Sequence, residues 1–123
     1  MTKALLIEDD RKLAALLVEF LGQHGVEATN AVDSTQALQH LGSSRFDILL
    51  LDLMLPGGLD GFNVIQRLRA EEATKNLPIL VISAMDDPES RARAKDLGAS
   101  EFYGKPFRPL ELLEHLKQFA RGE

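Results

Sequence analysis

No cysteine occurs among the 123 residues, which excludes disulfides and thiolate chemistry and is compatible with a reducing compartment. Nor does any apolar stretch approach the ~20 residues that a membrane-spanning helix needs. After Met1-Thr2-Lys3 only a few apolar residues precede Glu8, too few for the core of a secretion signal. A soluble, cytoplasmic protein with no membrane attachment is the expectation. A basic excess is missing too: 14 Lys and Arg face 19 Asp and Glu, a net charge of −5. That balance argues against a general electrostatic hold on nucleic acid, which needs a basic face. No linker, low-complexity tract or second core pattern is visible, so residues 1–123 are expected to form a single domain.

What is present is an apolar pattern that switches between short continuous runs and helix-like spacing. Residues 3–8 read as a fully buried strand. Asp10 stands where an N-cap belongs, and Leu13, Leu16, Leu17, Phe20 and Leu21 fall on one helical face that Gly25 ends. Residues 26–31 are a weaker strand, and Asp33 or Ser34 opens a second helix through Ala37, Leu38 and Leu41. Residues 46–51 are the strongest strand, followed by a helix from Gly61 or Phe62 with Val64, Ile65 and Leu68 inward. Pro78 leads into a fourth strand, residues 79–83, and Asp87-Pro88-Glu89 is a helix start with proline at the first helical position. That fourth helix offers the core only Ala92, Ala94 and Leu97 before Gly98. A short strand at 101–103 and a last helix from near Pro109, packing through Leu110, Leu112, Leu113, Leu116 and Phe119, complete the chain. Repeated strand–helix units with nearly continuous apolar strands predict an α/β fold: a parallel sheet with helices on both faces.

In such sheets the functional crevice lies outside the carboxyl ends of the strands, at the switch point of the topology. Glu8 and Asp9 end the first strand and Asp52 the third, while Ser83 and Lys105 follow the fourth and fifth. Three carboxylates in one partly desolvated crevice repel unless a cation joins them. An all-oxygen donor set suits Mg²⁺. A carboxylate beside Mg²⁺ is a competent nucleophile towards phosphorus. Lys105 can supply an ammonium to the phosphoryl oxygens, Ser83 a hydroxyl, and the small Ala84 leaves the approach open. Each signal alone has a plainer reading: an acidic pair as a helix cap, Asp before Pro-Gly as turn chemistry, Lys-Pro as solvated surface. Their coincidence at four strand ends favours a phosphoryl site. His24, His40 and His115 are read as surface or boundary residues, and Arg91, Arg93 and Lys95 as a solvated helix face open to a partner.

With Glu8-Asp9, Asp52-Leu53-Met54-Leu55-Pro56, Ser83-Ala84 and Lys105-Pro106-Phe107 in this order, the chain resembles the receiver domains of bacterial two-component response regulators. The resemblance is to the chemotaxis-type receiver and covers essentially the whole chain. It implies a flavodoxin-like (βα)5 fold with strand order 2-1-3-4-5. It also implies that Asp52 is the phosphoacceptor and a Mg²⁺ ligand, with Asp9 a direct ligand, Glu8 acting mainly through water, and the Met54 backbone carbonyl completing the set. Ser83 and Lys105 would contact the phosphoryl group, and Phe102 would be the aromatic that swings inward as Ser83 is drawn to it. The fourth helix, fifth strand and last helix would then present a changed surface. The implied partners are a sensor histidine kinase or phosphotransfer protein and an output protein, with the domain a monomer or a phosphorylation-dependent dimer. Such a domain promotes its own phosphorylation and dephosphorylation and is a signalling module rather than an enzyme. Met54 and Met85, at positions that tune water access in the family, imply a slowly hydrolysed acyl phosphate.

Two departures stand out. Asp60-Gly61 lie one residue further from Asp52 than the family pattern, the extra residue falling in Gly57-Gly58-Leu59. Phe102 replaces the usual tyrosine. A rival reading is a receiver-like scaffold that binds proteins without being phosphorylated. An aspartyl-phosphate phosphatase would need a second Asp two residues after the nucleophile, where Met54 stands. Both a stand-alone protein and a piece of a longer regulator or hybrid kinase fit the sequence.

Overall fold

A computed structural model describes residues 1–56 and 60–120. Along the chain, five strands alternate with five helices: β1 (Thr2–Ile7), α1 (Arg11–Gln23), β2 (Val26–Ala31), α2 (Ser34–Ser43), β3 (Ile48–Leu51), α3 (Gly61–Ala70), β4 (Ile79–Ser83), α4 (Pro88–Leu97), β5 (Glu101–Gly104) and α5 (Pro109–Ala120). All strands run parallel in the order β2-β1-β3-β4-β5, the expected flavodoxin-like arrangement.

The central strands are covered on both faces, so every residue of β3 and β4 is buried. Alternate side chains divide between two cores. Leu5, Ile7, Leu49, Leu51, Ile79 and Val81 meet Ala37 of α2, Val64, Ile65 and Leu68 of α3, and Ala94 of α4. Ala4, Leu6, Ile48, Leu50, Leu80 and Ile82 meet Ala14, Leu17 and Leu21 of α1 and Leu112, Leu113 and Leu116 of α5.

Helix starts are fixed chemically: the Asp10, Asp33, Asp60 and Asp87 side chains each accept a main-chain N–H of the first turn. At the far end of α4, Gly98 takes φ 118°, a left-handed cap that a side chain would strain.

Several expectations need correcting. β1 runs from Thr2 rather than Lys3 and stops at Ile7, and β3 begins at Ile48 rather than Phe46. β5 extends one residue further, to Gly104. Leu16 and Leu110, assigned inward faces, are 66% and 67% exposed. The buried stripe of α1 runs through Ala14, Leu17 and Leu21, with Leu16 off it, and that of α5 through Leu112, Leu113 and Leu116, with Leu110 off it. Ala92 is exposed as well, leaving Ala94 the only fully buried residue of α4.

Candidate functional site

The carboxyl end of β1 is tied to both neighbouring strands by the main chain: the Asp52 N–H, after β3, donates to the Ile7 carbonyl at 3.0 Å, and the Glu8 N–H donates to the Ala31 carbonyl of β2 at 3.0 Å. This register brings carboxylate oxygens of Glu8, Asp9 and Asp52 within 4.8 Å of one another. Glu8 and Asp52 are only 2% and 5% exposed, whereas Asp9 faces solvent. From the other side, the Lys105 N–H bonds to the Ser83 carbonyl at 3.0 Å, which anchors the residue after β5 to the end of β4. The Lys105 ammonium donates to Glu8 Oε2 at 2.8 Å and to Asp52 Oδ2 at 3.0 Å.

Two smaller contacts complete the cradle. The Met54 N–H donates to Asp52 Oδ1 at 3.0 Å, and the Asp10 N–H to Glu8 Oε1 at 3.0 Å. Ser83 is buried and its Oγ accepts the Met85 N–H at 3.1 Å. Gly61 closes the loop after Asp52: its N–H bonds to the Leu53 carbonyl at 2.9 Å. A Cβ there would lie 2.4 Å from the Leu53 Cα and 2.7 Å from the Asp52 carbonyl oxygen, so only glycine fits.

Charge is not balanced in this crevice. Three carboxylates face one ammonium, and burial raises the Glu8 pKa, with the Asp52 charge adding to the rise against the opposing pull of Lys105 and the Asp10 N–H. Burial alone would lower the Lys105 pKa, but hydrogen bonds and charge from Glu8 and Asp52 outweigh it and hold it above the usual lysine value. An all-oxygen cluster with surplus negative charge is a fitting donor set for a hard divalent cation. The structure therefore gathers Glu8, Asp9, Asp52, Ser83 and Lys105 at one end of the sheet, with Met54 beside Asp52 but 57% exposed. Residues 57–59, the expected lengthened loop, lie outside the described residues.

Phe102 is partly buried against the α2–α3–α4 core. The Arg91 guanidinium lies 4.7 Å from its ring centroid while Arg91 Nε donates to the Asp86 carbonyl at 3.0 Å. The Asp86 carboxylate in turn covers Gly104, where a Cβ would be 2.3 Å from Oδ2. Among the histidines, His24 and His115 are boundary residues as expected; His24 Nδ1 contacts the Phe20 carbonyl at 2.9 Å and His115 bonds to the Tyr103 hydroxyl. Sequence reasoning missed the Asp86–Gly104 packing, for which the sequence carried no signal. It also missed Asn30, whose side chain reaches the Glu8 carbonyl; an asparagine inside a strand was the available sign.

Comparison with known proteins settles the family. The model for the response regulator receiver domain matches residues 4–117. The chain belongs to that family. Among curated relatives, the phosphate regulon transcriptional regulatory protein PhoB of Escherichia coli is 33% identical over 119 residues, 97% of this chain and 52% of that protein. The receiver thus spans about half the length of the curated relatives it matches. Among solved structures, the receiver domain of the Francisella response regulator 1452 superposes with a TM-score of 0.92 at 27% identity, covering 99% of this chain and 98% of that one. The receiver domain of sensor histidine kinase PA1611 from Pseudomonas aeruginosa, described with magnesium coordinated in its active-site cleft, gives 0.87 at 28% identity, with 98% of each chain covered. As a receiver, the chain is a signalling module of two-component systems, and among its described residues no helix is long and apolar enough to cross a membrane.

Proposed function

We propose that this receiver is a phosphorylation-controlled switch in which Asp52 accepts a phosphoryl group from a phosphohistidine of a sensor kinase or phosphotransfer protein. The observation that carries this is the Lys105 ammonium bridging buried Glu8 and Asp52 beside Asp9. In the transfer an Asp52 carboxylate oxygen forms the new O–P bond while the donor's N–P bond breaks, and the imidazole leaves with the bonding pair. Glu8, Asp9, Asp52 and the Met54 carbonyl would hold Mg²⁺, which when bound neutralises charge on the phosphoryl oxygens. Lys105 is close enough to move its ammonium from Asp52 to the incoming group. Ser83, freed from Met85, would turn its hydroxyl towards the same oxygens, leaving room for Phe102 to rotate inward. That exchange biases an existing equilibrium in the α4–β5–α5 surface offered to an output partner.

The donor must approach Asp52 closely. An apolar groove of about 610 Å³, lined by Leu13, Leu16, Phe20 and Phe107 and reaching Lys105 at its rim, supports docking of the phosphodonor there. Exposed Leu16 then has a reason to be apolar.

A small phosphodonor such as acetyl phosphate, with Mg²⁺, should label the native protein and leave Asp52→Asn unlabelled; equal labelling of the two would overturn the assignment. The label should persist for minutes or longer, given Met54 and Met85 beside the approach. The scaffold reading predicts instead that beryllofluoride with Mg²⁺ changes neither the NMR spectrum nor partner binding.

A further inference from the structure

Asparagine is depleted from strands, yet Asn30 lies one place before the end of β2, opposite Leu6 of β1. Its side-chain nitrogen is 3.0 Å from the Leu6 carbonyl oxygen, 3.2 Å from that of Glu8 and 3.2 Å from that of Ala31. With carbonyls on every side, the amide nitrogen and not its oxygen must face them, and two protons serve three acceptors.

The reason lies in how β1 and β2 part. Their last rung is the Glu8 N–H on the Ala31 carbonyl at 3.0 Å. In a parallel ladder the Glu8 carbonyl would next accept a main-chain N–H from two residues beyond Ala31, that of Asp33. Asp33 has left the sheet to cap α2, its carboxylate taking the Gln36 N–H at 2.9 Å. The Asn30 amide supplies the donor that the ladder lacks. The carbonyl it holds belongs to the peptide that joins Glu8 to Asp9, so its orientation sets the direction in which both carboxylates leave β1.

We propose that Asn30 is a positioning residue for the cation site: through the Glu8 carbonyl it pre-sets the Glu8–Asp9 peptide for Mg²⁺. The inference rests on the reading of Glu8, Asp9 and Asp52 as the Mg²⁺ site. Asn30 touches no metal and no phosphoryl group; it acts at one remove, as hydrogen-bond partners of metal ligands do.

The test compares the native chain with Asn30→Leu, which keeps the bulk and loses both donors, and Asn30→Ser, which keeps one hydroxyl donor. Mg²⁺ affinity is read by NMR titration of the amides of residues 8–10 and 52–54, well below the unfolding midpoint, and that midpoint is measured in EDTA. The expected result is a Mg²⁺ dissociation constant about tenfold higher in Asn30→Leu, with a smaller rise in Asn30→Ser. The metal-free Asp9 amide resonance should shift in both. A lowered midpoint with a dissociation constant within about twofold of native would reduce Asn30 to a brace for the sheet edge and overturn the proposal. Should Asn30→Leu fail to fold, Asn30→Ser decides by the same criterion. A native protein that does not bind Mg²⁺ would sink the site reading and this inference together; native binding with unaltered variants would sink this inference alone.

Discussion

α3 and α4 are both ten residues long and pack on the same face of the sheet, yet they are held in opposite ways. α3 buries Gly61, Phe62, Val64, Ile65 and Leu68, whereas α4 buries Ala94 alone. What fixes α4 lies at its ends and on its rim. Asp87 caps it by accepting from the Ser90 N–H and hydroxyl, Pro88 occupies the first turn, and Arg69 lies over Gly98 and donates to its carbonyl from Nε at 3.1 Å and Nη2 at 2.9 Å. Two guanidinium groups reach from α4 over rings, Arg93 above Phe62 at 4.1 Å and Arg91 above Phe102 at 4.7 Å. An element with so little apolar burial opens at lower free energy than its neighbour. On that ground α4, whose Arg91 covers Phe102, is expected to open at lower cost than α3, whose first residue packs on Asp52.

The contrast can be broken most directly in the core. Leu68→Ala in α3 should cost about 3 kcal/mol of stability in denaturant titration, and Leu97→Ala, on the partly buried side of α4, less than half of that; equal losses would erase the distinction. Next in size, hydrogen exchange should open α4 at a cost about 2 kcal/mol below that of α3, roughly a 30-fold faster exchange of its interior amides. Asp87→Ala should lower the thermal midpoint slightly and speed exchange in α4 without touching α3. Hydrogen bonds from Ser90 depress the Asp87 pKa, so the cap's contribution is complete above the ordinary carboxylate range and lost as pH falls through the depressed value. Below that point Asp87→Ala and the native protein should converge in melting experiments. The smallest effect belongs to Arg93→Gln, about 0.5 kcal/mol from the lost cation–ring contact. It should appear in α4 exchange before it appears in global stability.

The sheet was legible because burial on both faces writes strands as unbroken apolar runs, and Ile48–Leu51 is such a run. The site was legible because polar residues at the ends of those runs have few other places to stand. Helix faces were harder: 3.6-residue spacing marks a stripe but not how far the sheet covers it, so Leu16 was assigned inward while Ala14, too small to weigh in the pattern, does the packing. Arg91 and Arg93 were rightly read as exposed. Their stacking on Phe102 and Phe62 depends on tertiary placement that no local pattern encodes. The same holds for the Lys105 ammonium, whose two-way bond joins residues 97 and 53 positions apart in the chain.

Gly61, pressed against the Asp52 carbonyl and bonded to Leu53, has a consequence for the segment between them. Where a chain leaves and returns to the same point, its excursion is thermodynamically insulated: one added residue costs only ~0.1 kcal/mol of closure entropy, and the strain has no lever on the anchored ends. A change of chain length between Pro56 and Asp60 is thus cheap for the anchored ends, where Met54 stays tied to the Asp52 carboxylate and Asp60 caps α3, and that interval is the place to insert a reporter peptide.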